Sequence, residues 1–231
     1  SNWKGIQATV CVPGPTPEVK KRNCANFGAT VVSVGEIYDD AYTHAQELCE
    51  SEGMLYVHPV ADTDVVAGQG TISLEILEQN PEVEQVIVPL GGGGLVSGIA
   101  FAMKQAKPAV RIVAVQAAGS PLVYRCLEAG KPVELDHVDT IADGMGSKKA
   151  EPYLLEMVKR YVDEVVVVSE EAIAEAIRVC LFDGKLLLEG AGAAATAAIL
   201  EGKAKADRNT VVIASGGNID PGLLKRILHE G

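Results

Sequence analysis

Aromatic side chains are scarce in this chain, with three Phe, six Tyr and one Trp among 231 residues. A core for that length must then be built from Val, Ile, Leu and Ala, as in parallel sheets covered by helices. A basic surplus is also missing. Asp and Glu number 31 against 20 Lys and Arg, a net charge of −11. No basic stripe is available to replace phosphate counterions, so nucleic acid and anionic membranes are excluded as partners. No apolar run reaches the roughly 18 residues needed to span a bilayer, and no signal peptide is visible. The five cysteines, Cys11, Cys24, Cys49, Cys126 and Cys180, form no C-x-x-C pair. Odd in number and widely spaced, they read as free thiols of a cytoplasmic protein. The histidines His44, His58, His137 and His229 lack metal-ligand spacing. The acidic balance still leaves room for a small anion, which a helix N-terminus can bind locally.

What is present is alternation. "IQATVCV" reads as a strand and "TPEVKKRNCANFG" as a helix, with Thr16 as N-cap, Pro17 at its first position and Gly28 closing it. "ATVVSV" is the next strand, "YDDAYTHAQELCESEG" a helix ending at Gly53, and "LYVHP" a third strand. Such a β-α-β series indicates a parallel sheet. A turn-rich stretch, "HPVADTDVVAGQG", separates this lobe from the rest. Beyond it the pattern predicts a helix over Gly70 to Glu78, a strand over Gln85 to Leu90 and a helix from Leu95 to Lys107. "VRIVAVQAA", "VDEVVVVS" and "NTVVIASGGN" follow as strands. Helices are predicted over Ser120 to Ala129, over "EEAIAEAIRVCLFDG" with Ser169 as cap, over "GAGAAATAAILEG", and from Pro221. The class is α/β, with two open parallel-sheet lobes: a partial small lobe over 1–57 and a large lobe over 58–231.

Between a strand and a helix stands "VPLGGGGLVSGIA". Glycine weakens both kinds of element, so four in a row imply a ligand or backbone approaching closely. Strand, glycines and helix start together aim N–H groups and a helix dipole at an anion. A Walker loop needs Lys and Ser or Thr after the last glycine, where Leu95 and Val96 stand. The dinucleotide fingerprint fits neither register, because Val96 or Ser97 falls where its third glycine belongs. The next strand also ends in Gln116 rather than an acidic residue. A lone phosphate on a cofactor remains. A second site-like stretch, "IASGGNIDPG", places Ser215 and bare backbone at the carboxyl edge of a parallel sheet, where ligands of open α/β folds bind.

The combination of "AGQGT", "VPLGGGGLVSGIA", "TIADG", "LLLEGAGAAA" and "SGGNID", in this order along the chain, resembles the pyridoxal-phosphate-dependent threonine and serine dehydratases. Serine racemase is a close relative of that family. The resemblance implies a fold-type-II enzyme, similar in plan to the tryptophan synthase β chain. It implies pyridoxal 5'-phosphate as cofactor, a small amino acid as substrate, and β-elimination of water from L-threonine or L-serine. By position, Gly91, Gly92, Gly93, Gly94 and Leu95 would cradle the cofactor phosphate. Ser215 would meet the pyridine nitrogen, and Gly144 and Glu189 would line the ring.

Two departures qualify it. Gln116, Ala117 and Ala118 offer no charged oxygen where the family holds a cation, so no metal site is expected. The family's Schiff-base lysine belongs to a motif upstream of the segment matching Ile6. Lys20, Lys21, Lys148, Lys149 and the other lysines lack that motif's neighbours. The expectation is an N-terminally incomplete chain, catalytically deficient alone and holding cofactor non-covalently at most. A homo-oligomer or a complementing N-terminal segment is the corresponding partner. The alternative is a non-catalytic truncated or split fragment, or a pseudoenzyme, that binds phosphate or pyridoxal phosphate weakly.

Overall fold

Short runs of β-branched residues form every strand of the computed structural model, which describes residues 5–229. Packing divides the chain into two units, with the boundary between Val57 and His58. In the first, β1 (Thr9–Val12) and β2 (Thr30–Ser33) pair in parallel, with Thr9 opposite Thr30. They are joined by α1 (Glu18–Asn26) and followed by α2 (Tyr38–Glu52). Pro17, not Thr16, occupies the N-cap of α1, and no side chain caps it. At the start of α2 the Asp40 carboxylate accepts from the N–H groups of Glu36 (2.8 Å) and Ile37 (3.2 Å), which holds its pKa below the usual range.

The predicted strand "LYVHP" does not form. The stretch 53–58 forms neither helix nor strand, and Leu55 is 89% exposed. Its β-branched and aromatic content alone cannot make a strand where no ladder receives it.

The second unit is built on β3 (Gln85–Pro89), β4 (Arg111–Ala117), β5 (Glu164–Val168) and β6 (Thr210–Val212). All are parallel, in the order β5-β4-β3-β6. The helices of this unit are α3 (Thr63–Gln79), α4 (Gly94–Ala106), α5 (Leu122–Ala129), α6 (Pro152–Tyr161), α7 (Glu170–Phe182), α8 (Gly190–Leu200) and α9 (Pro221–His229). Side chains alternate across a strand, so each strand serves two cores. Val86, Val88, Ile112 and Ala114 pack with Ile99 and Met103 of α4 and Val158 of α6. Ile87, Val113, Val115 and Ala117 pack with Ile173 and Ile177 of α7 and the alanines of α8. Helices on both faces explain why β3 and β4 read as nearly continuous apolar runs.

Two helices differ from the pattern-based reading. The turn-rich stretch contains the first two turns of α3, which starts at Thr63 rather than Gly70. Asp62 caps it, accepting from the N–H groups of Asp64 (2.8 Å) and Val65 (3.2 Å). Turns and caps draw on the same residues, and "ADTD" satisfies either pattern. Helix α6 was not anticipated, although Pro152 at its first position and buried Leu154, Leu155 and Val158 carry a helical signal. Ser169 does cap α7, its hydroxyl accepting from the Ala172 N–H at 3.1 Å. All five cysteines are free. Among the described residues, no helix is long and apolar enough to cross a membrane.

Candidate functional site

Strand β3 delivers the glycine run to the carboxyl edge of the sheet, where Leu90 still donates to the Val115 carbonyl at 2.8 Å. The chain then turns through Gly93, whose φ of +103° only glycine adopts readily, and enters α4. Gly93 is the N-cap and has no side chain to satisfy the first helical N–H groups. Among the described residues, none of the N–H groups of Gly91 to Leu95 donates to a carbonyl or side chain. Five unused donors at a helix start form an anion site by geometry and by dipole.

The bare backbone has a second reason. A Cβ on Gly94 would stand 2.6 Å from the Val60 carbonyl oxygen, and one on Gly91 would stand 3.0 Å from that of Gly144. The loop is therefore packed on two sides by other backbone. The Val60 turn is itself fixed. His58 Nδ1 accepts from the N–H groups of Val60 (3.1 Å) and Ala61 (2.8 Å), and the Tyr153 hydroxyl donates to the Ala61 carbonyl at 2.6 Å. Burial raises the Tyr153 pKa, with Asp62 and Glu151 adding to the effect.

A cleft of about 400 Å³ opens on the glycine run. That size suits a small cofactor, since such pockets run from roughly 300 to 1,000 Å³. Gly91, Gly92, Gly93, Gly94, Leu95, Gly144, Glu189 and Ser215 all line it, so every site residue expected from the sequence reaches one place. Ser215 is exposed beyond the end of β6, and its hydroxyl has no hydrogen bond among the described residues. Glu189 holds the N-cap position of α8 and donates its N–H to the Gly216 carbonyl at 2.9 Å. Its carboxylate fills the space that a side chain on Gly216 would need.

Among the described residues Glu189 is the one charged residue on the wall, and neither Lys nor Arg lines it. An anion here would be held by N–H dipoles, not by cations. A neighbouring cavity of about 240 Å³ shares Glu189 but adds Asp139, Asp143 and Asp220 to a single Arg226. Carboxylates at that density repel phosphate.

Sequence reasoning missed Val60, Val65 and Gln69, which also line the cleft. They belong to the stretch read as a linker, and the two hydrogen bonds to His58 had no sequence signature. The lysines named from the sequence make local contacts. Lys21 Nζ donates to the Gly14 carbonyl and to Glu18, and Lys149 pairs with Glu134 at 3.4 Å. Gln116 is fully buried, and its Oε1 accepts from the Tyr124 N–H at 2.7 Å. That amide stabilises its own turn. Asp143 opens a single 3-10 turn, Asp143–Met145, which presents Gly144 to the cleft.

Comparison with known proteins gives a consistent picture. The family described as "Pyridoxal-phosphate dependent enzyme" matches residues 1–216. The L-threonine ammonia-lyase of Thermotoga maritima is 42% identical over 227 residues, covering 98% of this chain and 57% of that protein. A catabolic L-threonine dehydratase of Staphylococcus aureus is 41% identical over 98% of this chain and 67% of its own length. The structure of maize serine racemase superposes with a TM-score of 0.89 at 32% identity, over 99% of this chain and 71% of that one. The chain thus spans little more than half the length of the Thermotoga relative.

Proposed function

The chain belongs to the threonine and serine dehydratase family of fold-type-II pyridoxal-phosphate enzymes, and from that premise we propose that residues 91–95 hold the phosphate of this cofactor. The observation that carries the proposal is the set of five unused N–H groups at the start of α4, facing a cleft that no cationic side chain lines among the described residues. A phosphate ester suits that donor set, because amide dipoles and a helix terminus bind it without Lys or Arg.

On the same reading Ser215 faces the pyridine nitrogen. A hydroxyl can donate to or accept from that nitrogen, whereas a carboxylate would keep it protonated. Gly144 and the 3-10 turn form one wall, with bare backbone where a flat ring must lie. Glu189 supplies the one carboxylate on the wall among the described residues, beside the ring's substituents. Pyridoxal phosphate, when bound, supplies the electron sink for loss of an α-proton. A moderated sink suits β-elimination of water from L-threonine or L-serine, which yields a 2-oxo acid and ammonia.

None of the described residues lining the cleft is a lysine. The reading therefore gives residues 1–231 a non-covalent hold on the cofactor and no elimination activity by themselves. Calorimetry is expected to show saturable binding of pyridoxal phosphate, competed by inorganic phosphate and not by ATP or NAD. Borohydride reduction is expected to leave no lysine of residues 1–231 stoichiometrically labelled, and L-threonine to give no 2-oxo acid. A single fully pyridoxylated lysine in the peptide map would overturn the non-covalent assignment. Preference for ATP or NAD would overturn the phosphate-ester reading itself.

A further inference from the structure

The glutamates Glu170 and Glu171 open α7 side by side and read in sequence as a pair favouring the helix dipole. The structure separates them. Glu171 is exposed, while Glu170 turns into the protein and uses both carboxylate oxygens. Oε1 accepts from the Gly119 N–H at 3.0 Å; Oε2 accepts from the Thr140 hydroxyl at 3.0 Å and the Ile141 N–H at 2.8 Å. Thr140 Oγ1 in turn accepts from the Ala142 N–H at 3.0 Å.

These contacts lead to the cleft. Asp139 donates its N–H to the Gly119 carbonyl at 3.0 Å, and a side chain on Gly119 would overlap the Asp139 carbonyl. Met145 donates to the Ala142 carbonyl at 2.8 Å, closing the 3-10 turn, and the Ser120 hydroxyl donates to the Met145 carbonyl at 3.0 Å. Between those anchors lies Gly144, whose carbonyl packs against Gly91. Resting on the cofactor reading above, we infer that Glu170 is a positioning residue for the site. Its carboxylate joins the segments at Gly119 and at 140–141 and so sets where Gly144 and Met145 stand against the glycine run. Glu170 does not itself line the cleft.

Glutamine cannot replace it. Its carboxamide offers one acceptor and one donor, so either Gly119 or the Thr140–Ile141 pair would face N–H against a donor. Glu170→Gln is expected to weaken binding of pyridoxal phosphate about tenfold, the scale of one lost hydrogen bond to a charged group. Inorganic phosphate, which needs only the glycine N–H groups, should change less than about twofold by the same scale. Amide exchange should accelerate at Ile141 and Met145 and remain unchanged in α7. Glu171→Gln, which removes the same charge from the same helix turn, is expected to alter none of these.

Equal loss of phosphate and cofactor binding, or unaltered exchange at Ile141 and Met145, would overturn the inference. Where Glu170→Gln does not fold, Thr140→Val removes one of the three bonds to Glu170 together with the bond from the Ala142 N–H, and Thr140→Ser restores both. Faster Ile141 exchange in the valine variant alone supports the inference, and identical exchange in both contradicts it. A wild-type chain that binds no pyridoxal phosphate would remove the functional reading, while the exchange measurements would still decide whether Glu170 fixes the 140–145 segment.

Discussion

Replacing Gly92 with aspartate is expected to abolish binding of both pyridoxal phosphate and inorganic phosphate, whereas alanine there should weaken it only modestly. The two substitutions separate bulk from charge. A Cβ on Gly92 would come within 2.9 Å of a terminal methyl of Val60, with the Ser147 hydroxyl next at 3.6 Å. A methyl at the end of a side chain can rotate aside, so alanine costs little. Aspartate adds a negative charge beside the N–H groups that would hold the anion. At about 4 Å and an effective dielectric of about 20, each pair of like unit charges costs about 4 kcal/mol. That alone is roughly a thousandfold in affinity, before the doubly charged form of the phosphate is counted. Calorimetry distinguishes the cases: aspartate should give no binding heat, and alanine a dissociation constant within about tenfold of wild type. Aspartate binding as tightly as glycine would remove the phosphate site from residues 91–95.

The second large effect is on stability. Gly98→Ala is expected to destabilise the second unit by about 2 kcal/mol or more, although helix propensity alone favours alanine by about 1 kcal/mol. The sign is decided by what the methyl meets. Gly98 lies on the face of α4 packed against α3, and its Cβ would overlap the Val66 carbonyl. It would also stand 2.9 Å from both Gln69 Cβ and the Gly70 N. These are mostly backbone atoms of a neighbouring helix, so relief requires the helices to part. Reciprocally, Gly70 would meet the Gly98 carbonyl at 3.1 Å. The urea midpoint should fall, and cofactor affinity with it, because Val65 and Gln69 of α3 line the cleft. A higher midpoint would show that propensity wins and that α3 and α4 are not in such close contact.

Much of this arrangement is written in local patterns. The strands β3 and β4 are apolar and buried on both faces, and the partly buried β5 is a run of valines, so composition reveals all three. The glycine run is legible because its cost in both helix and strand demands a reason. Ser215 and Glu189 are placed by the topology of a parallel sheet, whose carboxyl edge gathers chain ends that are far apart in sequence. What escaped detection depends on tertiary contact. "LYVHP" has strand composition but no neighbour to pair with, and "ADTD" looks like a turn until a helix is seen to follow it. Val60 matters through its carbonyl, which no side-chain pattern encodes. Glu170 and Glu171 are chemically identical in sequence, and only the fold points one of them at Gly119, Thr140 and Ile141.

The most direct measurement is an amide chemical-shift titration of the wild-type chain with pyridoxal phosphate, with inorganic phosphate as a parallel series. With both ligands, the largest downfield shifts are expected at the N–H groups of Gly91 to Leu95. Shifts near Ser215 and Gly144 are expected with pyridoxal phosphate alone. Amides at Gly91 to Leu95 that stay in place while others respond, whether around Asp139 and Arg226 or elsewhere, would contradict the phosphate cradle.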